Sequence, residues 1–181
     1  MNRHWIQKLV YCGILIALSI ILSRFASIRF AYGGAENIRV GFGAFPILIA
    51  GVLFGPLYGA VVGIVADIGG FMISPIGAYM PHFTLVSAMY GFIPGLAMYL
   101  PFLKNLTLME AFRIRFITGV VLSQLITQWT LLPWFLFLVF EIPFQVSLIP
   151  RYFTAPIQIV AYTLLGLVLF TQPVFQKWIK R

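Results

Sequence analysis

Charge is what this chain has least of. Aspartate and glutamate together number 4 in 181 residues, and charged residues of both signs make up 9%, where soluble domains carry about 25%. Such poverty excludes an ordinary solvated surface. A single cysteine, Cys12, excludes an internal disulfide and a thiolate metal cluster; it reads as a small apolar helix residue. His82 stands alone in a loop, without companions for a metal. No Gly-x-x-x-x-Gly-Lys-Ser/Thr run is present, so no phosphate-cradling loop is expected. His-Glu-x-x-His and Cys-x-x-Cys are missing too, and two histidines with four acids do not assemble a triad. No repeat doubles the chain. These absences argue against catalysis, against nucleotide hydrolysis and against any bound cofactor or metal.

What is abundant is apolar. Hydrophobic residues make up 61%, and between Arg39 and Lys104 the only formal charge is Asp67. About 20 apolar residues cross a bilayer, so this run holds several crossings. The expected fold is an all-α integral membrane protein, one domain over residues 1–181, with six transmembrane helices in a compact bundle. The expected spans are Trp5 to Ser23, Val40 to Phe54, Pro56 to Met72, Phe83 to Leu100, Phe116 to Phe140 and Tyr152 to Phe170. Five is the rival count if the second helix is re-entrant. A polar loop is expected over Ser27 to Arg39, a polar link over Lys104 to Arg115, and a break at Glu141, Pro143 and Pro150. The basic start (Arg3, Lys8) resembles a signal peptide, but further spans follow and no small-residue cleavage site is evident, so an anchored first helix is expected.

Six spans place both termini on one side. Arg3, Lys8, Lys104, Arg113, Arg115, Lys177, Lys180 and Arg181 then share that side, against Arg24, Arg29, Arg39 and Arg151 on the other. Positive charge favours the cytoplasm, which puts both termini there. The net charge of +8 lies scattered between apolar runs, not in one patch, so a nucleic-acid partner is not expected.

An acid within an apolar run points to a protein-lined cavity. Gly59, Gly63 and Asp67 recur every four residues on one helix face, and small residues let helices pack closely in lipid. Asp67 should therefore face the bundle, either as an acceptor for ligand N–H groups or as a partner for a neighbouring polar group. Gln124 and Gln128 share a helix face and need partners from another helix or a ligand. Trp129 offers a stacking surface for a flat heterocycle. Arg24, Arg39 and Arg151 can meet a carboxylate, and equally a phospholipid phosphate or, for Arg151, Glu141. Tyr32, Tyr79 and Tyr152 fit an outer mouth or a plain interfacial position. Gly13 with Ala17, and Gly91 with Gly95, can each seat a helix of this chain or of a partner.

These residues carry a resemblance. The run from Phe45 through Gly51, Gly55-Pro56 and Gly59, then Gly63, Ala66-Asp67, Gly77-Ala78-Tyr79, Pro81 and Phe83-Thr84-Leu85, is similar to the substrate-binding (S) components of energy-coupling factor vitamin transporters. Within them it most resembles the folate-specific branch, as does Ala17 through Phe25. The resemblance implies six helices, a vitamin pocket open to the outside and no catalysis. It also implies a transmembrane coupling protein and two cytoplasmic ATPases as partners, in a prokaryotic plasma membrane. Gly13 and Ala17 would meet the coupling protein; the family's usual pattern there is Ala-x-x-x-Ala. Residues 27–39 would act as a gate. The ligand-facing set it suggests is Arg24, Arg39, Asp67, Tyr79, Gln124, Gln128, Trp129, Arg151 and Tyr152. The competing expectations are an S component for a pyridoxine or hydroxymethylpyrimidine type of precursor, and a membrane structural protein without transport.

Overall fold

The computed structural model describes residues 3–25, 27–32, 36–75, 79–100 and 107–172. Helix α1 (Arg3–Phe25) leads into strands β1 (Ser27–Tyr32) and β2 (Glu36–Gly41). The strands are antiparallel, with Ile28 opposite Val40 and Arg29 opposite Arg39. The expected irregular loop is thus a hairpin, consistent with β-branched and aromatic residues at every second position (Ile28, Phe30; Ile38, Val40). Helix α2 (Ala44–Phe54) then begins four residues later than expected. It is followed by α3 (Pro56–Ile73) and α4 (Pro81–Ala97). Helix α5 (Leu108–Gln124), a π-helical segment (Leu125–Leu131) and α6 (Leu132–Phe140) form one continuous rod, and α7 (Phe144–Thr171) closes the order.

The helical rods number six among the described residues, and four of them are long and apolar enough to cross a membrane: Trp5–Phe25, Pro56–Ile73, Leu108–Phe140 and Phe144–Thr171. Helix α2, with 11 residues, is about 16 Å long, roughly half the hydrocarbon thickness. It runs through the centre, where Leu48, Ile49 and Ala50 are fully buried.

Two further boundaries depart from expectation. Helix α5 starts at Leu108, inside the anticipated polar link, because Thr107 and Glu110 form a capping box: the Thr107 hydroxyl accepts the Glu110 N–H, and the Glu110 carboxylate accepts the Thr107 N–H at 3.1 Å. Helix α7 starts at Phe144 and keeps both Pro150 and Pro156 inside it. Membrane helices tolerate interior proline where neighbours re-satisfy the freed backbone.

Close backbone approach welds α2, α3 and α4 together. A Cβ on Gly91 would lie 2.2 Å from the Gly59 carbonyl oxygen, and one on Gly51 would lie 2.0 Å from that of Gly91. No side chain fits at either place. The turn between α2 and α3 needs glycine for another reason: Gly55 sits at φ 101°, where a Cβ is strained, and Pro56 follows in the first turn of α3. So the expected four-residue glycine rhythm does pack helices, and Gly91 and Gly95 seat α2 and α3 of this same chain.

Apolar side chains point outward. Leu57, Phe153 and Val168 are 73%, 70% and 64% exposed, whereas Ser123, Gln124, Thr127 and Ser147 are fully buried. This inverted arrangement suits a bilayer as solvent.

Candidate functional site

Five of the six rods turn polar groups toward one cavity of about 580 Å³, to which α2 adds only Ala44 and Ile47; the volume is within the range of small-molecule sites. α1 brings Ser19, Ser23 and Arg24; α3 brings Asp67; α4 brings Phe83, Ser87 and Tyr90. The π segment brings Gln128, and α7 brings Arg151, Thr154, Gln158 and Tyr162.

Asp67 is half-buried on the glycine face of α3. Its Oδ2 accepts the Thr84 hydroxyl at 2.6 Å, and Oδ1 takes a long 3.4 Å contact from the Ser87 hydroxyl. Its partners among the described residues are hydroxyls only, not cations. Since an ionised carboxylate has about four acceptor positions, Oδ1 keeps capacity for a further donor. Arg24 donates through Nη2 to the Gly70 carbonyl, one turn beyond Asp67, while its buried Nε has no partner among the described residues. Arg151 is buried and donates to both the carbonyl and the hydroxyl of Ser147. Gln128 Nε2 donates to Gln158 Oε1 at 3.0 Å across the cavity wall. Two backbone carbonyls at the exit of β2 are tied down nearby: Tyr162 donates to Gly41 and Ser19 donates to Gly43, each at 2.6 Å.

Four of the sequence-expected residues therefore meet at the cavity: Arg24, Asp67, Gln128 and Arg151. Four do not. Tyr79 lies behind the wall, within 2.7 Å of the Thr84 hydroxyl. Gln124 is fully buried away from the cavity, and neither end of its amide has a partner among the described residues. Trp129 packs on Tyr152 at a centroid distance of 5.2 Å, and Tyr152 is 55% exposed on the outer face. For Gln124 and Trp129 the reason is the π segment. Its hydrogen bonds reach five residues back, as from the Leu132 N–H to the Thr127 carbonyl, so the α-helical rule that groups Gln124 with Gln128 fails there. Pro133 explains the widening: it has no N–H, and its ring would clash with the carbonyl of residue 129 in a regular helix. The Arg39 side chain lies outside the described residues. Gly13 has nothing within 4 Å of where a Cβ would stand, so among the described residues its position on α1 packs on no other helix.

The sequence reading missed Ser19, Ser23, Thr84, Ser87, Tyr90 and Tyr162. Ser19 and Ser23 carried a signal, being hydroxyls four apart within an apolar run. Thr84 and Ser87 reach Asp67 from 17 and 20 residues away, a pairing no local pattern announces.

A bundle that faces lipid with its apolar side chains and encloses a polar cavity is a multi-pass membrane protein built to hold a small molecule. The family model described as "ECF-type riboflavin transporter, S component" matches residues 4–173, and the chain belongs to this family of transporter S components. The curated folate transporter FolT of Clostridium novyi (strain NT) is 38% identical over 94 residues, 52% of each chain; the chain thus spans about half the length of that curated relative in the match. The crystal structure of FolT bound with folic acid is 26% identical, with a TM-score of 0.66 over 92% of this chain and 93% of that one. A second structure, of the S component of a bacterial ECF transporter, superposes with a TM-score of 0.63 over 91% and 96% at 20% identity, and speaks to the fold alone.

Proposed function

We propose that this S component captures folate from outside the cell and delivers it to an ATP-driven importer without catalysing any reaction itself. The observation that carries this reading is the charge set of one cavity: Asp67 with an under-used oxygen, and Arg24 and Arg151 lining the same space. A pterin edge presents an amino group and a ring N–H side by side, which suits a carboxylate as a paired acceptor. Folate's glutamate tail is anionic and suits the arginines. Phe83 and Tyr90, which replace Trp129 as the aromatic wall, offer faces for the ring.

A flavin is the second reading, favoured by the description of the matching family model. Its pyrimidine edge presents one N–H between two carbonyls, a poorer match to a carboxylate, and riboflavin has no anionic group for Arg151. Pyridoxine and hydroxymethylpyrimidine are smaller and would leave much of a cavity of about 580 Å³ unfilled.

The importer reading brings partners with it: a transmembrane coupling protein on the free Gly13–Ala17 face of α1, and two ATPases on the cytoplasmic side of a prokaryotic plasma membrane, where both termini would lie. The test is a binding panel on detergent-purified protein. Folic acid should bind, and riboflavin and pyridoxine should bind at least about a hundredfold more weakly, the scale of two lost charge-assisted hydrogen bonds. Equal or tighter binding of riboflavin would overturn the folate assignment.

A further inference from the structure

We propose that Thr84 and Tyr79 form a relay that positions Asp67, so that two side chains behind the cavity wall set how tightly the ligand's N–H edge is held. The inference rests on the reading of Asp67 as a ligand acceptor.

The direction of the relay follows from counting hydrogens. Thr84 has a single hydroxyl hydrogen, and it points to Asp67 Oδ2 at 2.6 Å. The Tyr79 hydroxyl lies 2.7 Å from the same Thr84 oxygen. That oxygen has no hydrogen left to give, so Tyr79 donates and Thr84 accepts. The chain runs one way, from Tyr79 through Thr84 to Asp67, and each bond polarises the next.

The geometry fixes more than an orientation. Thr84 is buried in the first turn of α4, and α4 is welded to α3 by glycine, so the donor cannot drift from the acceptor. With Oδ2 held short and Oδ1 only grazed by Ser87 at 3.4 Å, the two oxygens are not equivalent. Oδ1 is the freer oxygen for the ligand's paired N–H edge, Oδ2 keeps one acceptor position beside Thr84, and the relay holds the carboxylate in that orientation. Tyr79 is the exposed end: it is 41% exposed, its ring tilts on Phe71 at 5.2 Å, and it stands just before the start of α4. Ordering of Tyr79 is thereby linked to ordering of Asp67. Neither Thr84 nor Tyr79 borders the cavity, so both are positioning residues.

The experiment is a mutant cycle with folic acid as probe. Thr84→Val keeps the shape and removes the donor; folic acid affinity should fall about tenfold. Thr84→Ser restores the hydroxyl and should recover most of the loss. Tyr79→Phe leaves Thr84 donating and should weaken binding about threefold. In an Asp67→Asn background, Thr84→Val should add little, because the two residues act as one unit. A merely structural role for Thr84 would instead give the same loss in both backgrounds. Wild-type affinity retained in Thr84→Val, or equal losses in both backgrounds, overturns the relay while leaving the folate reading intact. A wild-type protein that holds no folic acid overturns the reading, and the relay's role with it.

Discussion

α3 and α4 meet through glycine; the α5–α6 rod and α7 meet through side chains on proline-bearing backbone. The first pair lets carbonyls sit where a Cβ would be, as at Gly59 and Gly91. The second carries Pro133 at the end of a π segment, and Pro150 and Pro156 inside α7. Both contribute to the same cavity. The glycine half supplies Asp67 with fixed hydroxyl partners, and the proline half supplies Gln128, Arg151 and Gln158. One half therefore acts as a rigid anchor for the ligand's donor edge. The other has prolines that offer no N–H to the carbonyls of the preceding turn, which suits a wall less tightly fixed than the glycine weld.

The contrast breaks first at the weld. Gly91→Val places atoms inside the Gly59 carbonyl and should destabilise by 3 kcal/mol or more, beyond the usual ~1–3 kcal/mol of overpacking because backbone cannot step aside. Its melting temperature in detergent would show this, and folic acid binding should vanish with the fold. A change on the other half should be milder. Pro133→Ala restores a donor and removes the clash that widens the rod. The π segment is then free to tighten, turning Gln128 out of the cavity; stability should hold or rise while folic acid affinity drops about three- to tenfold, the range of one neutral hydrogen bond. Equal loss of stability in both variants would erase the distinction between the halves. Smallest of all is Gly13→Ala, where space is open. It should leave binding unchanged and raise thermal stability by up to ~1 kcal/mol through helix propensity.

Much of this arrangement could be read from the sequence, and the reasons are particular. Asp67 stood out because a charge in a long apolar run is rare, and it does face the cavity. Gly51, Gly59 and Gly63 stood out by period. Arg24 and Arg151 were visible as charges at the edges of spans. The hairpin was hidden because a short polar link says little about pairing, and the early start of α5 was hidden although Thr107-x-x-Glu110 is a capping signature. The π segment was the costliest omission. It is set by one proline meeting the turn before it, and it took Trp129 off the cavity lining and buried Gln124 away from it. Glu141, Pro143 and Pro150 read as a break, whereas α7 starts at Phe144 and runs through Pro150.

The central claim is that the Asp67 carboxylate holds the donor edge of a folate inside the bundle. Calorimetric titration of folic acid into wild-type and Asp67→Asn protein tests it directly. The account predicts tight binding to the wild type and a loss above about 2 kcal/mol, roughly thirtyfold or more, in the variant with its fold intact. Folic acid bound equally well by both would contradict it.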